Sequence, residues 1–330
     1  MKLLLSFLAA GFVWSTAAVA EVPRVVATIK PIHSLVVAVM GDLGAPALIV
    51  RGGASPHTYS LRPSDASALE QADIVFWTGH GMELFLEEAL DSLAGKANVV
   101  ALADSPGIEL LPIREGGIFE PHEDEPHEDD AHDDDAHEGD THDEGEQHED
   151  EHGHDGDMDM HYWLDPVNAM HMIEQIALSL GDADPANASA YLANADAAVT
   201  QLQALADEVR DQLAPVQDTP FIVFHDAYQY FESRFGLSIA GAITVTPDTM
   251  PGAARVAEIR DRIAAAGAAC VFAEPQFEPA IVDTVLEGTA ARAGTLDPEG
   301  GALEEGPELY PTLIRNLATA LVDCLSPAAP

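Results

Sequence analysis

Residues 187–213 read NASAYLANADAAVTQLQALADEVRDQL, with neither glycine nor proline in the run. Apolar side chains recur along it at helical spacing, at Tyr191, Leu192, Val199, Leu202, Leu205 and Val209. Because nothing breaks the pattern, it predicts one uninterrupted helix, whose end Pro215 marks. A helix of this length is expected to act as a rigid connector between two parts of the chain.

On both sides of this helix, short apolar strands alternate with helices. Before it, strands are predicted at 24–29, 46–50, 74–77 and 98–102, and helices at 32–40, 63–71, 82–93 and 168–180. After it, strands are predicted at 221–224, 237–240 and 270–273, and helices at 227–235, 253–266, 279–286 and 309–325. Such alternation predicts an α/β fold, with two lobes of parallel β-sheet flanked by helices. The expected lobes are residues 21–184 and 217–330, joined by the connecting helix at 185–216, with a ligand site in the interlobe cleft.

The first 20 residues have the pattern of a secretory signal peptide. Lys2 precedes an apolar stretch at 3–14, and the small residues Ala18, Val19 and Ala20 follow, so cleavage is predicted after Ala20. A membrane anchor is the alternative, but the apolar run is too short to span a bilayer. The mature chain is therefore expected outside the cytoplasm, where disulfides persist.

The charge balance indicates the class of partner. Lys and Arg number 14 against 57 Asp and Glu, a formal net charge of −43. Such a field repels phosphate backbones and anionic lipid headgroups, which argues against nucleic-acid and membrane-surface binding and favours cations. Two cysteines are too few for a disulfide-dense scaffold or a four-cysteine zinc finger.

Residues 120–159 differ in composition from the rest of the chain. Their 40 positions hold 21 acidic residues and eight histidines, at His122, His127, His132, His137, His142, His148, His152 and His154. Since such a tract cannot bury enough apolar surface to offset its ordering entropy, it is predicted to be a disordered loop. It is interpreted as an accessory loop that collects metal through many weak, exchanging sites, and the alternative is an inert solvated spacer.

Three further histidines, His57, His161 and His225, stand where predicted strands or turns end. The ends of parallel strands are where open α/β sheets place their ligands, and three imidazoles from separate segments suit a tetrahedral zinc site. Spacing alone leaves open that they are ordinary surface or core histidines. Met158 and Met160, beside His161, leave a copper(I) site as a minority alternative.

Five ordered motifs of the mature chain are similar to those of a known family. They read GASPHTYSLRPSD at 53–65, HYWLDP at 161–166, FHDAY at 224–228, FAEPQF at 272–277 and GTLDP at 294–298. With the acidic histidine-rich loop, these motifs resemble the periplasmic zinc-binding (ZnuA) components of ABC zinc importers. This family lies within the metal-binding solute-binding proteins of cluster A-I, family 9.

The resemblance implies a ligand set. It makes His57, His161 and His225 the zinc ligands, with Asp297 or a water molecule in the fourth position. Some relatives carry glutamate just before the first histidine, where this chain has Pro56. His33, His80 and His171 lie outside the ligand motifs and are not expected to bind the metal. Relatives also imply a disulfide between Cys270 and Cys324, the alternative being thiolate ligands.

The function implied is that of a monomeric, non-enzymatic receptor in the periplasm. It would capture Zn²⁺ and deliver it to an inner-membrane permease driven by a cytoplasmic ATPase. The same role for manganese is one alternative, although three imidazoles favour zinc. A secreted zinc hydrolase is another, because three histidines with an open position would suit catalysis, but no His-Glu-x-x-His motif occurs. A zinc buffer without a transporter would leave the cleft unexplained.

Overall fold

The first lobe is built on a parallel sheet of four strands, in which the first strand of the chain lies between the second and the third, and the fourth lies at the other edge. The computed structural model describes residues 22–114, 158–244, 251–277 and 280–327. The strands are β1 (Val25–Ala27), β2 (Ala47–Leu48), β3 (Ile74–Trp77) and β4 (Asn98–Ala101). The helices of this lobe are α1 (Lys30–Met40), α2 (Pro63–Gln71) and α3 (Leu84–Leu93). All residues of β1 and β3 are buried, as expected for central parallel strands covered on both faces.

The second lobe also contains a parallel sheet of four strands, in which the first strand of the lobe lies between the second and the third, and the fourth lies at the edge beside the third. Its strands are β7 (Phe221–His225), β8 (Ile239–Thr244), β9 (Cys270–Ala273) and β10 (Arg292–Thr295). Its helices are α6 (Gln229–Phe235), α7 (Ala253–Ala266), α8 (Ala280–Leu286) and α9 (Leu309–Leu325). The predicted α/β class is confirmed, and most predicted boundaries differ by only a few residues. Strand β10 was not predicted, because its four residues contain no apolar run.

A long helix connects the lobes, as predicted. After α4 (Pro166–Ala183), helix α5 runs over Ala188–Leu213 and continues as a 3-10 turn at Ala214–Val216. It packs on α4 and α1 of the first lobe and on α9 of the second. Leu192, one of the apolar positions used to predict this helix, is 48% exposed and contributes little to that packing.

Two strands of two residues each differ from the prediction. Strand β5 (Leu111–Pro112) pairs antiparallel with β6 (Met158–Asp159). Strand β6 occupies the last two residues of the tract predicted to be disordered at 120–159, so the predicted loop was two residues too long. The signal peptide at 1–20 and the eight histidines of the tract lie outside the described residues.

Polar contacts fix the lobes against each other around the cleft. Lys30 of α1 donates from Nζ to the carbonyls of Gly301 (3.0 Å) and Leu303 (2.7 Å). The Arg234 guanidinium binds both oxygens of Asp165, at 2.7 and 2.6 Å. Because these contacts join residues of the first lobe to residues of the second, they fix how the two lobes pack against each other.

The predicted disulfide is present. Cys270, at the start of β9, is bonded to Cys324 of α9, with their Cα atoms 6.2 Å apart. The two sulfurs are thus unavailable as thiolate metal ligands. Among the described residues, no helix combines the length and apolarity needed to cross a membrane.

Candidate metal centre

Three imidazoles meet between the lobes. His57 lies in the loop after β2, His161 follows β6, and His225 is the last residue of β7. The Nε2 atom of His161 lies 3.3 Å from Nε2 of His57 and 3.3 Å from Nε2 of His225. One ligand atom from each ring lies within 4.8 Å of the other two, and the described part of the chain holds no second such group of histidine, cysteine or carboxylate ligands. Segments 104 and 64 residues apart in sequence thus form one three-nitrogen site.

A carboxylate orients the ring of His161. The ring nitrogen Nδ1 of His161 lies 2.8 Å from Oδ1 of Asp159, and the backbone N–H of His161 donates to the same oxygen at 3.0 Å. Since an ionised carboxylate only accepts, Nδ1 carries the proton and Nε2 keeps its lone pair for a metal.

The second lobe repeats this arrangement at His225. Its Nδ1 lies 2.7 Å from Oε1 of Glu274, the residue after β9, and its backbone N–H donates to that oxygen at 3.4 Å. The pairing of β7 with β9 brings these two strand ends together. Both His225 and Glu274 are buried.

His57 differs from the other two histidines. Its ring is half-buried, and its backbone N–H donates to Oγ of Ser55 at 3.3 Å. Burial, followed by the nearby rings of His161 and His225, holds the pKa of His57 well below its usual range. Burial is the largest influence on His225 and lowers its pKa, but the Glu274 carboxylate, together with Asp226 and Asp159, outweighs burial, so the pKa is raised. His57 is therefore uncharged at neutral pH, the state that a metal ligand needs.

A cavity of about 130 Å³ opens beside the three rings. Apolar side chains form part of its wall, namely Met82, Ile113, Met158 and Met160. Its volume exceeds the share of a single water molecule, about 30 Å³ in the liquid. A metal held by the three Nε2 atoms therefore has room for solvent at its remaining position.

The structure does not bring Asp297 into the three-histidine group. Its Oδ1 accepts hydrogen bonds from Nε2 of Gln276 (2.7 Å) and from the backbone N–H groups of Glu299 (3.2 Å) and Gly300 (3.0 Å). These three donors hold one oxygen of Asp297 outside the three-histidine group.

The remaining described histidines also lie apart from the group. His33 is buried, with Nε2 3.1 Å from the Pro46 carbonyl. His80 is exposed and lies 3.6 Å from a Glu87 oxygen, and His171 lies 3.5 Å from Glu174. Sequence reasoning missed Asp159 and Glu274, although each lies in or beside a motif that it singled out.

The chain is similar to proteins of one known family. The family described as "Zinc-uptake complex component A periplasmic" (ZnuA) matches residues 25–324. The chain is 55% identical over 320 residues to the "High-affinity zinc uptake system protein ZnuA" of Brucella suis biovar 1, covering 96% of each chain. It is 44% identical to the protein of the same name from Paracoccus denitrificans, covering 93% of each chain.

Solved structures show the same fold. A crystal structure of ZnuA superposes with a TM-score of 0.72 at 22% identity, covering 93% of this chain and 100% of the other. Zinc-bound AdcA from Streptococcus pneumoniae superposes with a TM-score of 0.67 at 22% identity, covering 93% of this chain and 59% of the other. At such identities the likeness supports the fold alone.

Proposed function

Because this chain belongs to the ZnuA family of periplasmic zinc-uptake components, we propose that it captures Zn²⁺ in the periplasm and delivers it to an ABC transporter permease. The observation that carries the proposal is the convergence of the Nε2 atoms of His57, His161 and His225 in the interlobe cleft. Zinc is here the cargo, held by three neutral imidazoles. Nitrogen ligands suit zinc, whereas manganese prefers sites rich in oxygen ligands.

We propose that solvent, rather than Asp297, completes the coordination. The Asp297 carboxylate is held by Gln276 and by two backbone N–H groups, while the cavity beside the histidines is open to water. Asp297→Ala should therefore weaken zinc binding less than His225→Ala in competition with a chelator. An equal loss would make Asp297 an obligatory ligand.

A receptor explains the site better than a hydrolase does. The carboxylates in contact with the rings, Asp159 and Glu274, each accept a histidine N–H and are thus poorly placed to serve as a general base. Delivery then requires a permease and its ATPase as partners. Turnover of ester or peptide substrates by the zinc-loaded protein would contradict this proposal.

Export and the histidine-rich tract complete the proposed role. The signal peptide would be removed after Ala20, leaving a mature monomer of two lobes and the connecting helix. The tract at 120–157 would collect ions near the cleft. Mass spectrometry of the exported protein tests the cleavage site.

The decisive experiment measures metal content and affinity of the purified mature protein. One tight zinc site per chain is expected, and alanine at His57, His161 or His225 should abolish it while leaving the fold intact. His171→Ala is the matched control, since His171 lies outside the cluster and should leave the affinity unchanged. Tight zinc binding that survives in all three cluster variants would overturn the assignment.

A further inference from the structure

We propose that Asp159 and Glu274 are positioning residues that set the zinc affinity of this site. Each holds one histidine ring with Nε2 towards the metal position. Together they supply, from outside the coordination sphere, the negative charge that three neutral imidazoles lack. The inference rests on the proposed function, since it concerns the same zinc site.

The first support is that the same contact occurs in both lobes. In each case one carboxylate oxygen accepts both the ring N–H and the backbone N–H of one histidine, in the pairs Asp159 with His161 and Glu274 with His225. Two contacts to one oxygen fix the ring orientation and the tautomer. A carboxylate on the far nitrogen also makes the metal-binding nitrogen more basic.

The second support is that both carboxylates are buried and firmly held. Their side chains are only 4% and 1% exposed, respectively. The β5–β6 pairing fixes Asp159, and the Tyr230 hydroxyl donates to its backbone carbonyl. Since neither carboxylate can swing away, each ring stays aimed at the shared point without a metal.

The third support is the charge balance. The second oxygen of Asp159, Oδ2, is buried without a hydrogen-bond partner among the described residues, whereas the Glu274 carboxylate has the buried Tyr228 hydroxyl beside it. A buried charge satisfied on one side only is costly until an opposite charge arrives. One Zn²⁺ ion among three neutral rings brings two positive charges, which the two carboxylates cancel. This balance explains how the site can bind tightly while Asp297 is engaged elsewhere.

The test uses isosteric variants of the mature protein, with zinc as the probe in competition with a chelator. Asp159→Asn and Glu274→Gln keep an acceptor oxygen for the ring N–H and remove the charge. Each should weaken zinc affinity about 10- to 100-fold, the usual effect of losing such a partner. The unfolding temperature of the metal-free protein should not fall, because each substitution removes an uncompensated buried charge. If the two residues served only to stabilise the fold, their substitution would lower that temperature.

Asp226→Asn is the matched control. Asp226 lines the same cleft and follows His225, but its carboxylate binds the Arg114 guanidinium. The same change of charge there should weaken zinc binding less than Glu274→Gln does, because Asp226 touches no histidine ring and acts on His225 only through space. A loss as large as that of Glu274→Gln would overturn the inference in favour of a general field effect.

The two hypotheses fail differently. If Asp159→Asn and Glu274→Gln bind zinc as tightly as the unmodified protein while His161→Ala and His225→Ala do not, the inference that the two carboxylate charges set the zinc affinity is wrong and the zinc site stands. If the histidine variants also bind tightly, the proposed function itself is wrong. Should one isosteric variant fail to fold, the other tests the claim in the opposite lobe.

Discussion

Removing the disulfide should destabilise the protein without changing its zinc site. The bond between Cys270 and Cys324 spans 54 residues of sequence. In the chain-entropy relation, a loop of that length restricts the unfolded chain by about 14 cal/mol/K, or about 4 kcal/mol at 25 °C. The paired change of Cys270 and Cys324 to alanine is therefore expected to lower the free energy of unfolding by about that amount.

Zinc affinity should not follow this loss. Cys270 begins β9, and Glu274, which holds His225, lies four residues further on, about 13 Å along an extended strand. Arg292 also keeps β10 in contact with α9, because its guanidinium donates to the carbonyls of Cys324 and Ser326. The strand end that carries Glu274 should therefore keep its place.

Urea unfolding of the metal-free protein measures the stability change, since bound zinc would add stability by mass action. Chemical reduction of the unmodified protein is the control, because it breaks the bond without altering the sequence. Chelator competition at 25 °C measures zinc affinity. A stability loss below about 1 kcal/mol would refute the loop-entropy reasoning. A parallel fall in zinc affinity would show that the disulfide shapes the site.

The other predictions concern pH and the tract. Burial raises the pKa of Glu83 from 4.5 to about 7. Between these pH values the folded protein keeps a proton on Glu83 that the unfolded chain loses. The free energy of unfolding should therefore fall by about 3 kcal/mol as pH rises through that interval. Urea unfolding at a series of pH values should show this fall in the free energy of unfolding, and Glu83→Gln should reduce it. If the variant shows the same pH dependence, other groups cause it. Zinc affinity should fall as pH drops below the raised pKa of His225, because a proton on this ring then competes with the metal, whereas burial keeps His57 neutral. A zinc affinity that stays flat over this pH range in chelator competition would refute this prediction. Deleting residues 120–157 should leave one tight site, lower the total zinc bound and slow zinc loading in stopped-flow measurements. The deletion must stop before Asp159, which holds His161. Unchanged stoichiometry and rate would make the tract an inert spacer.

The local sequence was sufficient to predict most of the helices and strands and the fold class. Strand β3 and helix α5 follow from the spacing of apolar residues, since burial on one face or on both imposes a period that each segment carries by itself. The four residues of β10 carry no such signal, because three of them are exposed. Strand β10 exists because β9 offers its edge to the chain that returns from α8. The same holds for β5 and β6, which depend on pairing between distant segments.

The candidate site also has a part that the sequence predicted and a part that only the tertiary structure determined. Motifs around His57, His161 and His225 were enough to choose these three among the fourteen histidines. Only the tertiary structure showed that Glu274 holds His225 across 49 residues of sequence, and that Gln276 and two backbone N–H groups hold Asp297. A motif records which side chains a segment carries, whereas strand register and lobe packing decide which atoms come within hydrogen-bond distance. Hydrogen bonds form over about 3 Å, so partners from distant segments are determined only when the whole chain has packed.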